Sequence, residues 1–375
     1  MTSEWHEVPL RELVGYISKG IAPSYAEEAS ETTIRVLNQK CNRNFRISYG
    51  DSRLHDTLKK KVPPERYVKP DDILINSTGA GTAGRIAQIE DVPSATTIDG
   101  HMILIRSNGK VTQKFLGYAL KAHQWEVLQL DEGSTGQTEL NRDRLLDEIM
   151  INYPVSFDEQ NAIVGTLESI DRKLIVNEQL NDNLQQQAQA IYSSMFIDNP
   201  DPAWSHGHLS DLITVKYGKD HKKLADGIYP VYGSGGIMRH VERPLYNKES
   251  VLIPRKGTLN NVVYVNQPFW SVDTMFYTEM KLPNVAKFVY HFVKAKDLAA
   301  MNAGSAVPSM TTDILNAMEV VIPSASALEE FESLVAPMYE AMKANDVQSQ
   351  ALSKMRDALL PKLMSGEIDV SAVRL

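Results

Sequence analysis

The strongest constraint on the fold is an internal repeat. Trp5 opens WHEVPLRELVGYISKG and Trp204 opens WSHGHLSDLITVKYGK, each with leucines five and eight positions after the tryptophan. DDILINSTGAGTAGRIAQI then aligns with ESVLIPRKGTLNNVVYV as strand, turn and strand, and TIDGHMILI with SVDTMFYTEM. VTQKFLGYALKAH aligns with NVAKFVYHFVKAK as an amphipathic helix. GSTGQTELNRDRLLDEIMINYP aligns with GSAVPSMTTDILNAMEVVIP, and FDEQNAIVGTLESIDRKL with ALEEFESLVAPMYEAMKAN. The offset falls from 199 at the tryptophans to 171 at Gly133 and Gly304, so the first copy carries about 28 extra residues, mostly within 35–69. A tandem duplication of a mixed β/α domain followed by a long helix explains six blocks in one order.

Each long helix carries its own seam. In the first, Ile163, Leu167, Ile170, Leu174, Asn177, Asn181, Leu184, Ala188, Ile191 and Met195 alternate spacings of four and three. In the second, Phe331, Val335, Met338, Met342, Asn345, Ser349, Leu352, Arg356, Leu359 and Leu363 repeat that register at a constant offset of 168. A heptad seam held this long is the sign of a coiled coil, where a core helix would show a wider apolar stripe. Asn177 and Asn181 interrupt the first seam where Asn345 and Ser349 interrupt the second. A buried polar residue in a seam costs stability and selects register and partner. About forty residues at 1.5 Å each give a rod of roughly 60 Å. The expected class is α+β: two tandem mixed β/α domains at 1–155 and 199–323, with long helices at 156–198 and 324–375 forming an antiparallel coiled coil.

The net charge of −8 is that of an acidic frame holding two basic stretches. Residues 1–155 hold 19 Lys and Arg against 21 Asp and Glu, 156–203 hold 2 against 8, 204–323 hold 13 against 10, and 324–375 hold 5 against 8. Residues 35–69 carry ten basic and three acidic side chains, and 216–256 carry nine and four. Nucleic-acid binding depends on such local charge rather than the total. The N-terminus has no apolar secretory core, and no run of eighteen apolar residues suggests a membrane span. One cysteine, Cys41, excludes a disulfide within the chain and fits a reducing, cytoplasmic compartment. It is expected to be a small buried or half-buried residue.

Catalytic motifs are not found. Gly79-Ala80-Gly81-Thr82-Ala83-Gly84 follows an apolar strand, but a dinucleotide or S-adenosylmethionine site needs a helix next. Arg85–Ile89 reads instead as a strand, and the matching Pro254–Thr258 lacks the glycines, so a turn is expected. Asn199-Pro200-Asp201-Pro202 lacks the consecutive prolines and aromatic ring that adenine methyltransferases use on a flipped base. His206 and His208 have no third ligand at metal spacing. No cofactor and no metal are expected.

Over essentially its full length the chain resembles specificity subunits of type I restriction-modification systems. The segment from Tyr153 to Phe196, YPVSFDEQNAIVGTLESIDRKLIVNEQLNDNLQQQAQAIYSSMF, is similar to that family's central conserved helix, and LSKMRDALLPKLMSGEIDV at 352–370 to the end of its C-terminal one. Lys19-Gly20-Ile21-Ala22-Pro23 resembles the turn entering a target recognition domain. The pattern departs at Ser324-Ala325-Ser326, where Pro-Leu and Gln-type residues are usual. The resemblance implies two target recognition domains, each reading half of a bipartite site on double-stranded DNA, held apart by antiparallel helices. It also implies docked methyltransferase subunits, normally two, that carry the cofactor and methylate adenine N6. Restriction subunits can join as an ATP-dependent motor and nuclease. The chain itself is then no enzyme.

Duplication in one chain gives a pseudo-two-fold suited to two half-sites at fixed separation, and unlike copies predict unlike half-sites. Lys and Arg would position each domain on phosphates, and Arg, Asn, Gln, Ser and Thr in turns would read base edges. The candidates are Lys19, Arg35, Lys40, Arg43, Arg46, Lys59, Lys60, Lys61, Asn76, Thr78 and Arg85 in the first copy. In the second they are Lys216, Lys219, Lys222, Lys223, Arg239, Arg255 and Lys256. Two other functions fit parts of the pattern. A stand-alone DNA methyltransferase is opposed by the missing motifs, and a coiled-coil adaptor without DNA binding by the matched basic stretches.

Overall fold

A computed structural model describes residues 4–132, 139–301 and 309–373, with the backbone alone at 131, 132 and 372. The Gly-Ser pairs of the repeat lie outside the described residues. The chain divides into two units, Met1–Val176 with Gln348–Leu375, and Asn177–Val347. Each takes one sheet-bearing segment and part of both long helices, so the division falls within the helices rather than at their ends.

The first unit carries β1 (Trp5–Pro9), β2 (Val14–Lys19), β3 (Tyr25–Ala26), β4 (Thr33–Leu37), β5 (Asn42–Arg43), β6 (Arg46–Ile47), β7 (Arg53–Asp56), β8 (Ile73–Asn76), β9 (Ile86–Gln88), β10 (Thr96–Ile98) and β11 (Met102–Ser107). Then come α1 (Gln113–Ala122), α2 (Gln124–Val127), β12 (Asp131–Glu132), β13 (Glu139–Leu140), α3 (Arg142–Glu148), β14 (Met150–Pro154) and the start of α4 (Phe157–Ser193). The main sheet has the order β2-β11-β8-β9. Its central strands, β8 and β11, are apolar on both faces because both are covered. Ile73, Ile75, Ile103 and Ile105 pack towards α1 and α4, while the alternating Leu74, Met102 and Leu104 pack towards a smaller sheet, β10-β4-β7-β3. Cys41 is fully buried in that second core.

The second unit carries β15 (Ser205–His208), α5 (Leu209–Leu212), β16 (Ile213–Tyr217), β17 (Asp226–Gly233), β18 (Gly236–Val241), β19 (Ser250–Pro254), β20 (Val263–Val265), β21 (Trp270–Ser271), β22 (Met275–Met280), α6 (Ala286–Lys294), α7 (Thr312–Asn316), β23 (Glu319–Ile322) and most of α8 (Ala325–Met364). Its main sheet, β16-β22-β19-β20, has the same order of equivalent strands as the first, and β15-β23 matches β1-β14. The parallel pairing of β4 with β10 recurs as β17 with β21. The alternation recurs too: Val251, Ile253 and Phe276 face the helices, and Leu252, Met275 and Tyr277 face the small sheet. The extra residues of the first copy have a clear place. β4 and β7 are joined by a long excursion containing the β5–β6 hairpin, where only Ser234 and Gly235 join β17 to β18.

The helices follow from their sequences. Ser324, the point of departure from the family pattern, accepts the Ala327 amide through its Oγ at 3.2 Å and so caps the first turn of α8. Every seam position named above is buried or half-buried. Within the first unit, Ile163 and Leu167 of α4 share a core with Leu360 and Leu363 of α8. Within the second, Ala188, Tyr192 and Phe331 are buried together, and Phe196, in a π-helical turn that continues α4, packs edge-on to Phe331 at 5.2 Å. Asn345 Nδ2 donates to Asn181 Oδ1 at 2.8 Å, and Asn181 Nδ2 donates to Asp346 at 2.8 Å. α8 ends at a turn where Gly366 has φ +74° and a Cβ would stand 2.9 Å from the Trp5 ring, so both backbone and packing require glycine there.

His291 of α6 is fully buried between the two long helices of the second unit. Its Nδ1–H donates to Gln189 Oε1 at 2.8 Å, and its Nε2 accepts from the Tyr339 hydroxyl at 2.9 Å. Burial holds it neutral and lowers its pKa from 6.5 to about 4. The unfolded chain then binds a proton that the folded unit refuses. Stability is complete above pH 6.5 and falls as the pH drops towards 4, by about 3 kcal/mol. Urea unfolding of the second unit from pH 7 to pH 4 should show this fall, and His291→Gln should remove most of it.

Candidate nucleic-acid interface

The insertion of the first copy builds a basic cleft. Asn44 and Phe45, at the tip of the β5–β6 hairpin, both have positive φ, 52° and 62°. That is the backbone of a type I′ two-residue turn, which suits hairpin twist but is strained for phenylalanine. Phe45 is held there by packing on the core and by the Lys121 ammonium 5.0 Å above its ring. Arg43 and Arg46 pair across the hairpin. Beside them the glycine-rich segment forms a turn between β8 and β9, with the Thr82 and Ala83 amides both donating to Gly79 O at 2.9 Å and no helix following. Between hairpin and turn lies a cleft of about 540 Å³, lined by Gln39, Lys40, Asn42, Arg43, Asn44, Phe45, Thr82, Arg85, Ile86, Gln124 and Leu128.

Of the first-copy candidates, Lys40, Arg43 and Arg85 therefore meet at one cleft. Arg85 is exposed, its guanidinium donating to Gly81 O at 3.2 Å, and Arg43 stands 3.8 Å from Asp51. Lys59 lies 3.8 Å from Asp56, Lys60 donates to Ala22 O at 2.8 Å, and Lys61 is exposed. Arg35 donates to Ser52 Oγ at 3.0 Å on the small sheet. Lys19 at the end of β2 pairs with Glu139, and Thr78 bonds His101 Nδ1 at 2.7 Å. Asn76 is a correction. It is fully buried, its Nδ2 donates to Gln39 O and its Oδ1 accepts from Asn42, both at 3.2 Å, so it braces the cleft wall and has no face for a base edge.

The second copy spreads its cations over three loops. Lys219, Lys222 and Lys223 are exposed before β17, and the Lys219 carbonyl accepts from the buried Trp270 indole at 2.8 Å. Arg239 on β18 is turned back onto Asp226 at 2.6 Å and Leu224 O at 3.1 Å. Arg255 donates to Asp273 O at 3.2 Å and lies 5.3 Å above the ring of Tyr217, which is half-exposed. Lys256 beside it is exposed, and Lys216 stands 3.7 Å from Glu279. Lys40, Lys61, Arg85, Lys219, Lys222, Lys223 and Lys256 form no ion pair with any described residue. Of the candidates they are the most available to an anionic ligand. Sequence reasoning passed over Phe45, Gln39 and Gln124 in the first copy and Tyr217 in the second, because only the folded turns bring them to the surface of the cleft or beside a cation. Among the described residues no helix is long and apolar enough to cross a membrane.

Two copies of one sheet topology, each joined to long helices and each presenting basic loops, define a DNA-recognition architecture. The type I restriction modification DNA specificity domain family matches residues 2–186 and 203–330, and the chain belongs to it: it is a type I restriction-modification specificity subunit. It is similar to the specificity subunit of the type I restriction enzyme MjaIX of Methanocaldococcus jannaschii, 25% identical over 369 residues that cover 86% of this chain and 83% of that one. It is also similar to a putative type I specificity subunit of Mycoplasma genitalium, 23% identical over 270 residues covering 67% and 70%. The solved type I restriction-modification S subunit from M. genitalium shares the fold at 18% identity, with a TM-score of 0.61 and 96% of each chain covered.

Proposed function

We infer that the chain is the non-catalytic reader of its complex. Each sheet-bearing domain reads one half of a bipartite, asymmetric site on double-stranded DNA, and two methyltransferase subunits dock on the chain and modify the site it selects. Restriction subunits can join that assembly. The long helices pack as an antiparallel coiled coil, and their length sets the unread spacer between half-sites. The observation that carries this reading is the recurrence of one topology with different loops: β5–β6, the glycine turn and the Lys59–Lys61 turn in one unit, the hairpin β17–β18 and the Arg255–Lys256 turn in the other. A shared scaffold serves one geometric task twice, and unlike loops serve unlike sequences.

Calorimetry is the test of the non-catalytic role. The chain alone should bind no S-adenosylmethionine, while its complex with methyltransferase subunits binds it; stoichiometric binding to the chain alone would overturn the assignment. A second expectation concerns charge. Reversing Lys59, Lys60 and Lys61 to Glu should weaken binding of the complex to every DNA sequence alike. The slope of log affinity against log salt should fall by about 1 for each phosphate that the turn no longer neutralises. Titrations at several salt concentrations decide it, and an unchanged slope would place that turn away from DNA.

A further inference from the structure

The small sheet of the second unit carries an apolar tip that no core explains. Ile237 and Met238 are consecutive residues of β18 and are 52% and 60% exposed. Neighbours in a strand should point to opposite faces, so one of two should be covered. A bulge accounts for the exception: Val231 pairs with Arg239 and Tyr232 with Ile237, which leaves Met238 without a partner and re-aims it. A Cβ on Gly233 would stand 2.6 Å from the Met238 sulfur, so glycine makes room for that side chain. The surroundings are cationic. Arg239 Nη2 donates to Leu224 O and ties the tip to the loop bearing Lys222 and Lys223. Asn261 Nδ2 donates to Ser234 O at 2.8 Å and ties it to the turn that follows Arg255 and Lys256.

β21 pairs with β17 at Val231 and Tyr232, so the part that projects past the three-stranded sheet is the turn end of β17 and β18. An apolar end between basic loops matches the major groove in charge and chemistry. Phosphates line both edges of that groove, and its one apolar base feature is the thymine C5-methyl group. We propose that the β17–β18 tip enters the major groove of the half-site read by the second domain, and that Ile237 and Met238 select thymine there through its C5-methyl group. This deepens the DNA-reading role above and rests on it.

The test uses the full complex with its methyltransferase subunits, after the methylated motif has been sequenced. Each thymine of both half-sites is replaced singly by deoxyuridine, which removes the methyl group and leaves base pairing intact. Wild type should bind about fourfold more weakly at one or two positions, all in one half-site, the effect of one buried methyl group. Ile237→Ala or Met238→Ala should lower affinity for the thymine duplex and abolish that discrimination, with the melting temperature unchanged because both side chains are exposed. Indifference of wild type to every replacement, discrimination that survives both substitutions, or a motif with no thymine in either strand of one half-site and no effect in the other would overturn the proposal. So would variants that shed methyltransferase subunits rather than base discrimination, since the tip would then be a protein contact. A complex that methylates no defined motif would instead defeat the DNA-reading role itself.

Discussion

Replacing Asp171 by Ala is expected to cost the first unit about 3–5 kcal/mol, the loss typical when one partner of a buried charge cluster is removed. Asp171 of α4 accepts from Lys121 Nζ at 2.9 Å, from the Tyr118 hydroxyl at 2.9 Å and from Arg356 of α8 at 3.2 Å. The side chains of Lys121, Asp171 and Arg356 are only 11%, 17% and 19% exposed. Without the carboxylate, two half-buried cations face each other, and among the described residues Arg356 keeps its bond to Asp357. Burial alone pushes the Asp171 carboxyl up, but Lys121, Tyr118 and Arg356 together outweigh it and hold it below the usual 3.8. A depressed carboxyl contributes stability above its unfolded value and loses it as the pH falls through the folded one. Acid unfolding of wild type should therefore steepen below about pH 4, and Asp171→Asn should flatten that part of the curve. Hydrogen exchange at α1 and the first half of α4 reads the unit directly, and protection unchanged in Asp171→Ala would contradict the account.

The position has a counterpart in the second unit, with the chemistry exchanged. At the repeat offset of 168, Tyr339 stands where Asp171 does, and it bonds His291 of α6 as Asp171 bonds Tyr118 of α1. At this position one unit uses a charge cluster and the other neutral hydrogen bonds, while a second tie is ionic in both: Lys114 to Glu168 in the first and Lys287 to Glu332 in the second, each at 2.6 Å. The first should weaken below pH 4 and the second between pH 6.5 and 4.

Much of this was legible because burial follows period. Spacings of four and three select residues on one side of a helix, and alternate residues of Ile73–Ile75 and Met102–Ile105 must face opposite layers. The turn nature of Gly79–Gly84 could be read because Arg85–Ile89 has a strand's pattern. What composition could not show is where a polar side chain spends its hydrogen bonds. Asn76 looks like any turn residue next to glycines, yet it lies on a wholly buried strand and faces Asn42. Lys60 and Arg239 count as cations in the sequence, while the fold gives one a carbonyl and the other a carboxylate. The Asn44–Phe45 turn was hidden because neither residue is glycine, and tertiary packing of Phe45 supplies what local preference does not.

The larger functional effect is expected from the helices. α4 is one continuous helix of 37 residues that contributes to both units. Inserting four residues near Asn181 lengthens it by about 6 Å. With DNA rising about 3.4 Å per base pair, the spacer between recognised half-sites should grow by one or two pairs. The reading loops are untouched, so the half-sites themselves should not change. Four residues also shift the seam, and removal of the bonds from Asn181 to Asn345 and Asp346 should lower the melting temperature by a few degrees.

Sequencing methylated adenines in cells that carry the chain with its methyltransferase subunits, beside cells that carry the insertion variant, tests the central claim most directly. The account predicts a motif of two unlike half-sites around a fixed spacer for the wild type, and the same half-sites around a longer spacer for the variant. A single continuous motif, half-sites that change with the insertion, or full activity at the original spacer would contradict it.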